Sequence, residues 1–129
     1  MSSANDFDAV FADLRAILKR QAGTLAVSED APNRYSLEAA VGPATLKAWG
    51  GKAKRPTIPV AWSEVGKAYV SFHLMALGAM PGTMSKALAA RMQGKTCFNF
   101  SSRDPELFKE LEDVTSRSIT AFRKAGFIG

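Results

Sequence analysis

The chain has 129 residues, of which 47% are hydrophobic, 22% charged and 9% aromatic, and its formal net charge is +5. That length fits one domain, residues 1–129, able to bury a core without disulfides or a structural metal, and the composition excludes collagen-like, disordered and disulfide-scaffold chains. A single cysteine, Cys97, and a single histidine, His73, exclude an internal disulfide and a common zinc site.

The first predicted element is a helix. Phe7, Val10, Phe11, Leu14, Ile17 and Leu18 recur at spacings of three and four and so share one face. Asn5 is its expected N-cap, Asp6 and Asp8 suit the positive end of the dipole, Lys19 and Arg20 the negative end, and Gly23 the stop. From Thr24 to Met75 the period changes to two. Tyr35, Leu37, Ala39 and Val41 alternate with Arg34, Ser36, Glu38 and Ala40, and Gly42-Pro43 ends that strand. Ala44–Trp49 is expected as a shorter strand, followed by a loop through Gly50 to Pro56.

Ile58, Val60 and Trp62 then alternate with Thr57, Pro59 and Ala61, and Pro59 implies an edge strand or a bulge. A tight turn over residues 64–67 leads into a strand from Ala68 to Met75. Links this short make these strands antiparallel neighbours, because parallel crossovers need a dozen residues or more.

A flexible connection is expected from Gly78 to Gly82. Met84, Leu88 and Met92 predict a short helix with Thr83 or Ser85 as cap and Gly94 as its end. Thr96, Phe98 and Phe100 alternate in one more strand. A closing helix follows, with Asp104 as N-cap, Pro105 first, Leu107, Phe108, Leu111, Val114, Ile119 and Phe122 on its apolar face, and Gly126 as its end. The expected fold is α+β, an antiparallel sheet with the N- and C-terminal helices on one face.

The sequence carries few chemical signals. Gly94-Lys95-Thr96 ends like a phosphate-binding loop, but Ala89 stands where that loop needs glycine, and the strand follows the motif instead of preceding it. Cys97 and His73 would share the less apolar sheet face if their strands were neighbours, the minimum for a Cys–His dyad. Glu106, Glu110 and Asp113 follow one another along the last helix, away from its apolar stripe, and read as a solvated face. Weak binding of a hard cation there is the alternative.

The N-terminal segment lacks the basic and apolar regions of a signal peptide, and no apolar run is long enough to span a membrane, so the expected compartment is the cytoplasm. Asn99-Phe100-Ser101 therefore reads as a chance glycosylation sequon.

Charge is unevenly distributed. Residues 39–103 hold nine basic residues against Glu64 alone, a charge of +8, and the flanking segments together carry −3. A positive centre suits an anionic partner, although no nucleic-acid-binding signature accompanies it and a nucleic-acid partner is not expected. Helices on one face of a sheet leave the other to water, a ligand or a second subunit. Tyr69, Ser71, His73 and Met75 are expected to line that open face.

The run from Lys67 to Phe100, with YVSFHLM, RMQGK and CFNF, and the following DPELFKELEDVTSRSITAFRKAGF resemble a widespread bacterial family of small proteins of unknown function. The resemblance covers residues 67–126. More remotely, the element order resembles the YdhG-like domains, which implies a curved antiparallel sheet with helices at both chain ends, like the type III secretion chaperones. One YdhG-like protein has been proposed as a frataxin-like iron chaperone. Its expected acidic surface does not match this basic centre, so no metal ligand is carried over. The family pattern points instead to Tyr69, His73, Lys95 and Asn99.

The reading is a cytoplasmic binding or interaction domain without a cofactor, favoured over an enzyme. Its expected site is Tyr69, His73, Lys95, Asn99 and Trp62, and its expected partner is a small anionic ligand or a second copy docked on the open sheet face. The alternative is a weakly iron-binding, metallochaperone-like protein.

Overall fold

A computed structural model describes residues 3–79 and 82–128. The chain runs α1 (Ser3–Gln21), β1 (Ala26–Ala31), β2 (Arg34–Ala40), α2 (Pro43–Ala48), β3 (Thr57–Val65) and β4 (Val70–Leu74). A 3-10 helix (Met75–Ala79), α3 (Lys86–Ala89), β5 (Cys97–Phe100) and α4 (Pro105–Lys124) complete it. The fold is α+β. Five antiparallel strands in sequential order β1-β2-β3-β4-β5 form one sheet, and the N- and C-terminal helices pack on it.

Both long helices form where the apolar spacing predicts them. Val10, Leu14, Ile17 and Leu18 of α1 and Leu111 and Val114 of α4 are almost wholly buried against Leu37, Phe72, Leu74, Phe98 and Phe100 of the sheet. Fully burying an aliphatic or aromatic side chain of this kind contributes roughly 1.5–3 kcal/mol, so this shared core is the main source of stability. Asp104 caps α4 as expected, accepting from the Leu107 amide at 3.2 Å. Buried Thr115 and Ser118 each donate to the carbonyl four residues back, at 2.7 Å, so neither hydroxyl is left without a partner. Charged clasps tie the helices to their neighbours: Arg20 to Glu112, Arg103 to Asp13, and Arg15 to Asp30.

Several expectations are corrected. Helix α1 begins at Ser3, so Asn5 lies inside it and is not its cap. The strand expected over Ala44–Trp49 is helix α2, because Pro43 at its first turn favours helix entry and the segment pairs with the C-terminal tail instead of a strand. Gly42 N donates to Phe127 O at 3.0 Å, Ala44 N to Gly126 O at 2.8 Å and Thr45 Oγ1 to Phe127 O at 2.7 Å. A side chain on Gly42 would stand 2.3 Å from Gly126 O, so this approach requires glycine.

Helix α3 is a single turn that ends at Ala89, so Gly94 does not cap it. Gly94, with φ +80°, turns the loop into β5. Ser85 is the cap of α3, accepting from the Leu88 amide at 3.1 Å. Of the expected 78–82 connection, Gly78 and Ala79 belong to the 3-10 helix, and residues 80–81 lie outside the described residues. Glu64 and Val65, expected in a turn, belong to β3, and the strand expected over Ala68–Met75 spans only Val70–Leu74.

The position of Pro59 matters most for the site. β3 is the central strand, and a bulge forms there: Leu37 faces Ala61 while Glu38 faces Pro59, leaving Val60 as the extra residue. Val60 and Ala61 are both fully buried. Because side chains alternate with period two, one extra residue moves the rest of the strand to the opposite face. Ala61, Ser63 and Val65 therefore face the core, and Trp62, which alternation placed with Val60, turns to the open face.

Candidate functional site

Strand register assembles the open face in rows. Ser36, Trp62, His73 and Cys97 lie side by side across β2 to β5, and Arg34, Glu64, Ser71 and Asn99 form the next row. Directly paired residues in adjacent strands put their side chains within contact distance, so four strands bring together residues up to 65 positions apart in sequence.

The Trp62 and His73 rings stack with centroids 4.6 Å apart and an interplanar angle of 13°. The Arg34 guanidinium lies 6.0 Å from the Trp62 ring centroid. Among the described residues, Arg34 Nε is the one buried side-chain nitrogen or oxygen without a hydrogen-bond partner, and the aromatic face below is the group available to it. The far end of the same guanidinium reaches Glu29 at 3.3 Å.

His73 Nε2 stands 3.8 Å from Cys97 Sγ, within reach of a weak S–H···N contact, and Cys97 Sγ lies 3.5 Å from Asn99 Oδ1. Asn99 Nδ2 donates to Gln93 Oε1, which also accepts from the Tyr69 hydroxyl at 3.4 Å. A polar chain thus runs from the imidazole through Cys97, Asn99 and Gln93 to Tyr69. Gln93 can take part because residues 91–93 return along the outer edge of β5, Gln93 N donating to Cys97 O and Asn99 N to Arg91 O, both at 2.8 Å.

The structure therefore brings Cys97 and His73 together, as a dyad would require. Their electrostatics run the other way. Burial lowers the pKa of His73, Glu64 opposing this and Arg34 adding to it, and burial raises that of the Cys97 thiol. Both groups are held neutral at pH 7, whereas an activated dyad needs a thiolate beside an imidazolium. The pair has the geometry of a dyad without its charge state.

A recess of about 460 Å³ opens over this chain, walled by Glu64, Tyr69, Ser71, His73, Cys97 and Asn99 together with Gln93. A second recess of about 410 Å³ shares Tyr69, Gln93 and Asn99 with it and adds Arg91. Tyr69, His73 and Asn99 converge here. Trp62 supports the site from beside it through its stack on His73, and Lys95 is exposed in the loop before β5, outside both linings. Met75, expected on this face, leaves the sheet with the 3-10 helix and lines a different concavity, described below.

Sequence reasoning missed Gln93 and Arg91, because their part depends on a non-local return of the chain along β5 that no periodicity records. It also missed Arg34, which stood in the alternation as an outward residue.

Among the described residues, no group of three or more His, Cys, Asp and Glu side chains is placed to hold a metal ion. In the acidic row of α4, Glu110 bonds the Ser85 backbone amide and hydroxyl at 2.7 and 2.6 Å, and Asp113 pairs with Arg117. No helix among the described residues is long and apolar enough to cross a membrane. No family model, curated protein or solved structure matches the chain.

Proposed function

We propose that the protein is a small binding domain that takes a small anionic ligand on its open sheet face without covalent chemistry. The observation that carries this reading is the paired recess at Tyr69, His73 and Asn99, where donors and acceptors from three chain segments converge on a volume in the range of small-molecule sites. Arg91 supplies positive charge in the second recess, and Lys67 and Lys95 stand in the loops next to the linings, whereas Glu64 in the first recess repels an anion and so directs the ligand's charge toward Arg91.

A second copy is the weaker occupant. Among the described residues, the large exposed hydrophobic side chains are scattered, Val27 on β1, Tyr69 in the turn before β4 and Met75 in the 3-10 helix, and do not form the apolar centre that a homodimer interface needs. Both sheet edges are also blunted, β5 by residues 91–93 and β1 by its bulge and by Glu29 and Asp30. The iron-chaperone alternative draws less support still, since Glu110 and Asp113 already have partners.

Titrating inorganic phosphate and citrate while following backbone amide NMR signals tests the proposal. Saturable shifts centred on Tyr69, Ser71, His73 and Asn99, weakened in Arg91→Gln, are expected. Shifts that do not saturate, or that gather on Lys52–Arg55, would refute it.

A further inference from the structure

A separate concavity of about 480 Å³ lies where α2, the start of β3, the 3-10 helix and the end of α4 meet. Trp49, Ile58, Pro59, Met75, Phe122 and Phe127 form most of its wall. The Phe122 and Phe127 rings stack at 5.0 Å, and Met75 leaves 43% of its surface exposed at the wall. The Thr45 hydroxyl is engaged by Phe127 O, so it offers a ligand no donor.

Among the described residues, Arg55 is the one charged side chain in this lining. Its carboxylate neighbour is Glu38, at 3.7 Å, a long contact, and the Glu38 oxygen it faces already accepts from Thr57 Oγ1 at 2.5 Å. A guanidinium has five N–H donors in a fork suited to a carboxylate, so Arg55 keeps donors for a second partner. Lys47, Lys52 and Lys54 lie in the same chain segment, and no acidic residue occurs between Glu38 and Glu64. An apolar wall that includes one guanidinium is complementary to a molecule that has an apolar body and an anionic head.

We infer that this concavity binds a small amphipathic carboxylate, a medium-chain aliphatic acid. Its chain lies against Trp49, Met75 and the Phe122–Phe127 pair, and its carboxylate meets Arg55. The volume fits a small ligand and not a folded partner. The inference does not rest on the sheet-face proposal, because the two sites share no lining residue among the described ones.

The chain has two tryptophans, so Trp62→Phe leaves Trp49 as the sole indole reporter. Decanoate, titrated below its micelle concentration, is expected to change Trp49 fluorescence saturably. Decanol, the uncharged analogue, should bind about tenfold more weakly, and Arg55→Gln should weaken decanoate about tenfold while leaving decanol unchanged. The Met75 methyl NMR signal in the unsubstituted protein reads the same event independently of the tryptophan replacement. The inference is overturned if decanoate gives no saturable change in either signal, if Arg55→Gln binds it equally well, or if decanol matches it. Decanoate shifting Tyr69, His73 and Asn99 instead would also overturn it, by assigning the acid to the sheet recess.

Discussion

Protonating His73 is the most direct perturbation of the open face. Two effects oppose each other there. Burial disfavours the imidazolium, and Arg34 adds to that penalty, while the Trp62 face stacked at 4.6 Å and the Glu64 carboxylate favour it. A cation over an aromatic ring is worth about 0.5–1 kcal/mol when exposed, and part of the Trp62 ring's attraction is already directed to Arg34 at 6.0 Å. Desolvation therefore wins, and the folded-state pKa lies below the ordinary 6.5. The unfolded chain then binds the proton first as pH falls. Stability is complete above about pH 6.5 and declines on acidification until the depressed folded-state pKa is passed, with a slope of at most about 1.4 kcal/mol per pH unit. Trp62 fluorescence in Trp49→Phe reports the titration, since protonated histidine quenches a stacked indole. Urea unfolding at pH 7.5 and 5.5 reports the energy, and His73→Gln should lose the difference. A fluorescence midpoint above 6.5 would refute the reasoning, as would an unchanged pH difference in His73→Gln.

Four further outcomes are expected. Gly42→Ala should destabilise by roughly 1–3 kcal/mol in urea unfolding, because the new methyl meets backbone atoms of Gly126 and Phe127 that cannot rotate away. Cys97 should react with iodoacetamide at pH 7.5 more slowly than free cysteine, since burial raises its thiol pKa; the same shift costs stability as pH rises above the ordinary thiol range. Below about pH 4.5 a second acid-induced loss should appear, from Glu38 and Glu112. Hydrogen bonds from Thr57 and Arg20 lower their pKa values, and those bonds stabilise only while the carboxylates stay ionised; Thr57→Val should reduce this loss. Iron(II) titration by calorimetry separates the two binding readings: the sheet-face proposal expects no saturable heat, and the metallochaperone reading requires it.

Elements whose signal is local were legible in the sequence. The stripes of α1 and α4, the Asp104 cap and the alternation of β2, β4 and β5 follow from neighbours a few residues apart, and each formed. So did the separation of Phe72, Phe98 and Phe100 from His73, Cys97 and Asn99, because side-chain alternation in a strand is fixed by the backbone whatever its partners. β1 drew no specific expectation: its exposed, acidic Ala26–Ala31 run lacks an apolar face, and pairing with β2 makes it a strand.

Tertiary structure decided the remainder. Ala44–Trp49 carries no helical stripe of its own, and helix α2 forms where Gly42 and Ala44 find acceptors on the C-terminal tail. Pro59 announced an edge or a bulge, but only pairing with β2 selects the bulge, and that one extra residue turns Trp62 out to meet His73. The charge of +5 and the lone cysteine and histidine were set by composition. Their placement, Cys97 beside His73 and Arg55 above an apolar wall, was set by strand register and by chain returns over dozens of residues, which sequence periodicity cannot encode.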